Sequence, residues 1–201
     1  MSAPAPRLPH AARVAAKAVT ELFAPAVLLS ILLVLVSVHA AGFSRGIGPG
    51  LLAVLFVTGV PLGAVILLVR AGRITDHHIS DRRQRAPVLG GTLVSIALGI
   101  LILQLSDAPA NLILAVLSSV AGIVTVLVVN LYWKLSAHSA VAVYFAVIVL
   151  SLTGLPGLGV LAIPVAVGWS RTTLGAHTPA QVAAGWIVGS GIGVLYTALI
   201  A

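Results

Sequence analysis

Three short clusters of polar residues interrupt a chain that is otherwise almost wholly apolar, and their side chains are of the kinds that handle phosphate. The first runs from Arg73 to Pro87 and holds His77, His78, Arg82, Arg83 and Arg85. The second is Lys134-Leu135-Ser136-Ala137-His138-Ser139. The third starts at Ser170-Arg171 and continues through His177 to Gln181. An arginine guanidinium is a planar fork of donors that grips phosphate oxygens two at a time. An imidazole can attack or carry a proton near neutral pH. If the first cluster is helical, His78, Arg82 and Arg85 fall at i, i+4 and i+7 and share one face.

Other chemistries fit less well. The chain has four carboxylates, Glu21, Asp76, Asp81 and Asp107. A magnesium site draws on oxygen ligands with carboxylates among them, and only Asp76 and Asp81 are close in sequence. His77 and His78 are adjacent, so on a helix they do not face one metal. With no cysteine, disulfides, thiolate zinc sites and cysteine nucleophiles are excluded. No metal or other cofactor is expected. The net charge of +7 sits at the ends of apolar runs. It reads as topology signal and anion-binding groups, and not as a nucleic-acid surface.

The elements that position these clusters follow from composition. Of 201 residues, 60% are hydrophobic and 7% charged, against about 25% charged in a soluble domain. Lipid is the expected solvent. Residues 1–17 carry Arg7, Arg13 and Lys17 and read as a basic cytoplasmic tail, and 18–201 as a single transmembrane domain. Apolar runs lie at about 22–42, 50–70, 88–106, 111–133, 139–169 and 180–201. The 139–169 run is too long for one straight span, and Gly154, Pro156, Gly157 and Gly159 break it into two short helices, about 139–153 and 156–169. The expectation is an all-α transmembrane bundle of six to seven membrane segments.

Parity then matters. Two spans separate the first cluster from the second, and two short helices separate the second from the third, so all three emerge on one face. With the N-terminus inside, every lysine and arginine except Arg45 lies on the inner side, as the positive-inside rule requires. A plasma-membrane protein with a cytoplasmic-face site is expected, and the composition leans towards a GC-rich bacterial source. Taken singly the features have plainer readings: the arginines as topology charges, His138 as an interfacial histidine. Trp133, Trp169 and Trp186 read as belt or packing residues, and Gly185, Gly189, Gly191 and Gly193 as small residues that let helices approach.

Taken together, the clusters resemble the three signatures of the type 2 phosphatidic acid phosphatase superfamily. Ser170-Arg171, five residues and His177 match the third signature, Leu135-Ser136-Ala137-His138 keeps the Ser and His of the second, and His78, six residues, Arg85-Ala86-Pro87 follows the first loosely. Four positions depart: His78 stands at the family's Lys, Leu135 and Ala137 at its Pro and Gly, and Gln181 at the Asp that bonds the nucleophilic histidine.

The resemblance implies a metal-free, two-step phosphoryl transfer. His177 would attack phosphorus and form a phosphohistidine. His138 would protonate the leaving lipid oxygen. Arg171, Arg85 and Arg82 would hold the phosphoryl oxygens, with Ser136, Ser170 and His78 completing the cradle and Gln181 orienting His177. The expected substrate is a lipid phosphate or diphosphate. A phosphotransferase, with an alcohol in place of water, stays open. So does a catalytically silent lipid-phosphate binder, which Gln181 favours.

Overall fold

In the computed structural model, residues 9–72 and 82–201 are described, with the side chains of 82–89 left aside. The described residues are helical, in the order α1 (His10–Leu22), α2 (Pro25–Ala41), α3 (Phe43–Val54), α4 (Val60–Arg70), α5 (Arg82–Leu105), α6 (Ala110–Tyr132), α7 (Ala137–Thr153), α8 (Ala162–Thr173) and α9 (Pro179–Ile200). A π-helical turn, Leu55–Gly59, joins α3 to α4, and a 3₁₀ stretch, Leu155–Leu161, leads into α8.

Among the described residues, three stretches are long and apolar enough to cross a membrane: Phe43–Arg70, Ala110–Tyr132 and Pro179–Ile200. Counting the broken pair α1–α2 as one span gives four. Among the described residues the six to seven segments expected from the apolar runs are not reached by length; the 139–153 run, for one, forms a shorter helix, Ala137–Thr153. Large apolar side chains stay exposed along these helices, including Leu67, Leu105, Leu131 and Ile187. Such a surface is suited to acyl chains and not to water.

The chain divides into two compact units, Leu29–Leu117 and the remainder. In the first unit, Gly46 and Gly50 bring α3 against α2, where a methyl on Gly50 would lie 3.0 Å from the Val34 Cα. Ser37 Oγ donates to the Gly46 carbonyl at 2.7 Å. Ser95 of α5 donates to the Phe56 carbonyl at 2.7 Å, which supplies a partner to a carbonyl in the π turn.

In the second unit α7 is central. Its buried residues include Ser139, Ala140, Ala142, Tyr144, Phe145, Ala146 and Ile148. Gly185, Gly189 and Gly193 of α9, each four apart, form one ridge against it. A methyl on Gly185 would lie 2.6 Å from the Ser136 carbonyl oxygen, and one on Gly193 would lie 2.8 Å from the Val147 side chain. Gly191 has open space around it, so the packing role expected of four glycines belongs to three. The Tyr144 hydroxyl meets Ser118 at 2.7 Å and Ser119 at 3.2 Å, tying α7 to α6.

The chain reverses at Gly154, whose φ of 65° is a left-handed value that glycine adopts without strain. The expected break of 139–169 thus falls at the first of its breakers. α1 packs on α8, burying Ala16 and Thr20. The expected boundary between tail and domain at residue 17 falls inside that helix.

Candidate active site

The third cluster is held by its own backbone. α8 ends at Thr173, with Arg171 in its last turn, and Gly175, at φ 67°, turns the chain. The Arg171 carbonyl then accepts two N–H groups, from Ala176 at 3.1 Å and His177 at 3.2 Å. One residue on, Thr178 is the N-cap of α9 and makes a capping box with Gln181. Thr178 Oγ1 accepts from the Gln181 N–H at 3.3 Å, and Gln181 Oε1 accepts from the Thr178 N–H at 3.1 Å. Pro179 follows at the first helical position, where its missing N–H costs nothing. His177 therefore sits between a left-handed stop and a double cap, with little backbone freedom on either side.

The second cluster meets the third along this connection. Lys134 Nζ donates to the Ala176 carbonyl at 2.9 Å. The Ser136 N–H donates to the Gln181 carbonyl at 3.2 Å. Ser136 is the N-cap of α7, accepting from the Ser139 N–H at 3.3 Å and the Ser139 hydroxyl at 2.9 Å. His138 lies partly buried in the first turn of that helix. The two short legs between the clusters, α7 and then the 3₁₀ stretch with α8, return the chain to the end it left, as parity predicts.

Not every predicted side chain faces outward. Ser136 and Ser170 are fully buried, and their hydroxyls are engaged within the protein, Ser136 as acceptor from Ser139 and Ser170 as donor to the Val167 carbonyl at 2.9 Å. The Gln181 side-chain carbonyl is engaged by the cap. Arg82 and Arg85 belong to the first turn of α5, with side chains among those left aside, and His78 lies outside the described residues.

Two buried nitrogens at the site have no hydrogen-bond partner: Arg171 Nε and His177 Nδ1. Groups of that kind are almost always paired in a folded protein. One lies on a cation and the other on the imidazole of a residue whose backbone N–H is bonded to the same arginine's carbonyl. The pair fits an incoming anion. The Nδ1 also lacks a carboxylate, since Gln181 stands where the family signature has Asp.

The field around His177 favours the neutral ring. Burial lowers its pKa below the ordinary 6.5, the charges of Arg171 and then Lys134 lower it further, and the Gln181 side chain acts weakly the other way. A neutral imidazole has a free lone pair, which is the form that attacks phosphorus.

Two features escaped the sequence reading. Thr178-Pro179-Ala180-Gln181 has the spelling of a capping box, a signal that was available. The Lys134 clamp on Ala176 had no comparable signal, because a lysine beside a membrane helix is ordinary.

Residues 131–201 match the family model described as PAP2 superfamily. The match takes in the second and third clusters and supports the resemblance to the type 2 phosphatidic acid phosphatase superfamily. It suggests phosphatase activity on phosphate esters. No curated protein matches the chain, and no solved structure does.

Proposed function

We propose, from the family match over residues 131–201, that this protein is an integral membrane phosphatase acting on a lipid phosphate or diphosphate. Candidate substrates are a polyprenyl phosphate or diphosphate, phosphatidic acid, or phosphatidylglycerol phosphate. The observation that carries the reading is the pairing of Arg171 and His177: the His177 backbone N–H bonds the Arg171 carbonyl, and each side chain, a guanidinium and an imidazole held towards its neutral form, has a buried nitrogen awaiting a partner.

In the first step a lone pair of His177 attacks phosphorus and the bond from phosphorus to the lipid oxygen breaks. His138, in its protonated form, delivers a proton to that oxygen. Arg171 holds the equatorial oxygens and offsets the charge that builds on them, with Arg85 and Arg82 as further cations. In the second step water attacks the phosphohistidine. His138 takes the water's proton, inorganic phosphate leaves and His177 is regenerated. Ser136 and Ser170 serve as braces for the helix ends that present His138 and Arg171. Exposed apolar helices favour a substrate that arrives within the bilayer, and the charge distribution supports a site on the cytoplasmic face of the plasma membrane.

Phosphate release from a panel of lipid phosphates, with and without chelator, tests the reading. The wild type should turn over at least one of them, and His177→Ala should lose nearly all of that turnover; in a serine protease, removal of the nucleophile costs about 2 × 10⁶ in kcat. A second reading, a lipid-phosphate binder without turnover, is favoured by the unpartnered His177 Nδ1 and the Gln at position 181. Equal rates for wild type and His177→Ala would select it. Transfer of phosphate to an added alcohol in place of water would select the phosphotransferase.

A further inference from the structure

Thr20 and Ser170 are 150 residues apart, yet their hydroxyl oxygens lie 3.1 Å from each other. The direction of that bond follows from counting protons. Ser170 already donates to the Val167 carbonyl, and a hydroxyl has one proton to give. Thr20 must therefore be the donor. The relay runs one way, from Thr20 to Ser170 to the backbone of α8. Both groups are out of solvent, Ser170 fully and Thr20 at 8% exposure. A buried donor left without its acceptor is costly, so the bond fixes both the rotation of α1 and the hydroxyl of Ser170.

The element making this contact lies outside the stretch that matches the family model. α1 lays Ala16 and Thr20, four apart, against α8 and leaves Arg13, Val14 and Lys17 exposed. Ser170 is followed at once by Arg171, whose carbonyl receives the Ala176 and His177 N–H groups. Thr20 is thus connected by consecutive bonds to the backbone of His177. Glu21 follows Thr20 as Arg171 follows Ser170, so the 3.1 Å contact between the two hydroxyls brings the exposed Glu21 into the neighbourhood of Arg171, and its charge acts on that arginine.

We infer that α1 is an integral part of the anion site, with Thr20 as a positioning residue that holds the Ser170–Arg171 turn and Glu21 as the resting counter-charge of Arg171. The inference rests on the reading of the Arg171–His177 pocket as a phosphate site. It gives the two residues opposite effects. Thr20 aims the guanidinium, so losing its hydroxyl weakens anion binding. Glu21 competes with an anion for the same cation, so losing its charge strengthens anion binding.

The test measures orthovanadate binding by titration calorimetry on the full-length protein in detergent at low salt, beside its melting temperature. Thr20→Val keeps the shape and removes the donor. It should weaken vanadate binding about three- to tenfold, the worth of one hydrogen bond, and Thr20→Ser should restore wild-type affinity. Glu21→Gln should bind vanadate about two- to threefold more tightly, with the gain vanishing at high ionic strength. A wild type that binds no vanadate would overturn the phosphate-site reading and this inference with it. A wild type that binds while Thr20→Val and Glu21→Gln bind identically to it would overturn this inference alone. Weaker binding by Thr20→Val that serine does not rescue would mark a merely structural contact and also overturn the inference. Should Thr20→Val fail to fold, the direction of the Glu21→Gln change decides.

Discussion

At the scale of single residues, the nucleophilic role proposed for His177 has to be met without a carboxylate behind it. In a serine protease, replacing the aspartate behind the histidine by its amide costs about 10⁴ in turnover. Here Gln181 occupies the corresponding place, and its carbonyl caps the Thr178 N–H while the His177 Nδ1 stays unpartnered. Aspartate is one methylene shorter than glutamine and still favourable in the first turn of a helix. Gln181→Asp should release the cap and offer a charged acceptor to Nδ1. Turnover of a lipid phosphate at neutral pH should rise, by tenfold or more; a folded variant with unchanged or lower turnover would show that Nδ1 needs no carboxylate. The cations around His177 make a second prediction. Burial first, and then the charges of Arg171 and Lys134, hold its pKa below 6.5. Removing the Lys134 charge in Lys134→Met lets that pKa rise, so less of the ring is neutral at a given acidic pH. The acidic limb of the kcat/KM profile should move to higher pH, and a limb that stays in place would exclude Lys134 from the field of the nucleophile. The residues named from spacing alone thus meet different fates. His177, Arg171 and Gln181 are readable because one connection contains them all. Ser136 and Ser170 are readable as positions but not as roles, since burial cannot be seen in a motif.

At the scale of elements, the site depends on how closely α9 approaches α7. The glycine ridge makes that approach, and the Ser136 N–H reaches the Gln181 carbonyl as a consequence. Gly189 lies against the Ala140 backbone, which cannot yield as a flexible side chain would. Gly189→Val should force the helices apart, cost about 1–3 kcal/mol in stability as overpacked sites do, and lower activity by more than the loss of folded protein. Gly191→Ala, with no neighbour to meet, should leave activity unchanged and raise stability slightly, by about 0.5–1 kcal/mol, since alanine is the better helix former. Thermal midpoint and specific activity of the two variants check this, and equal behaviour would remove the ridge from the account. The ridge and the break at Gly154 were legible because glycine and proline act through local geometry. α1 was not. Its docking on α8 depends on Ala16 and Thr20 meeting a partner far along the chain, and no local pattern records a contact at that separation. The first cluster shows the opposite limit: its spacing can be read, while His78 lies outside the described residues.

At the scale of the whole molecule, the open matter is whether α7 and α8 form a true crossing pair or a dip from one face. α7 has 17 residues, which at about 1.5 Å per residue is roughly 25 Å, close to the ~30 Å hydrocarbon core. The turn that follows is exposed, with Leu155 at 80%. Both ends of this hairpin lie in one compact unit, so their sidedness can be compared directly. The chain has no cysteine, and a single introduced thiol is therefore an unambiguous reporter. Leu155→Cys marks the turn, and Ala180→Cys, on the exposed first turn of α9, marks the end with His177. In intact cells a membrane-impermeant maleimide should label Leu155→Cys at once and Ala180→Cys only after the membrane is opened. The charge distribution requires that order, since Lys134 and Arg171 stand at the Ala180 end and the hairpin turn from Gly154 to Leu161 has no charge at all. Labelling of Ala180→Cys in intact cells would turn the active site outward. Labelling of neither position before opening would make α7 and α8 a re-entrant pair, and a substrate would then have to be drawn from the cytoplasmic leaflet alone.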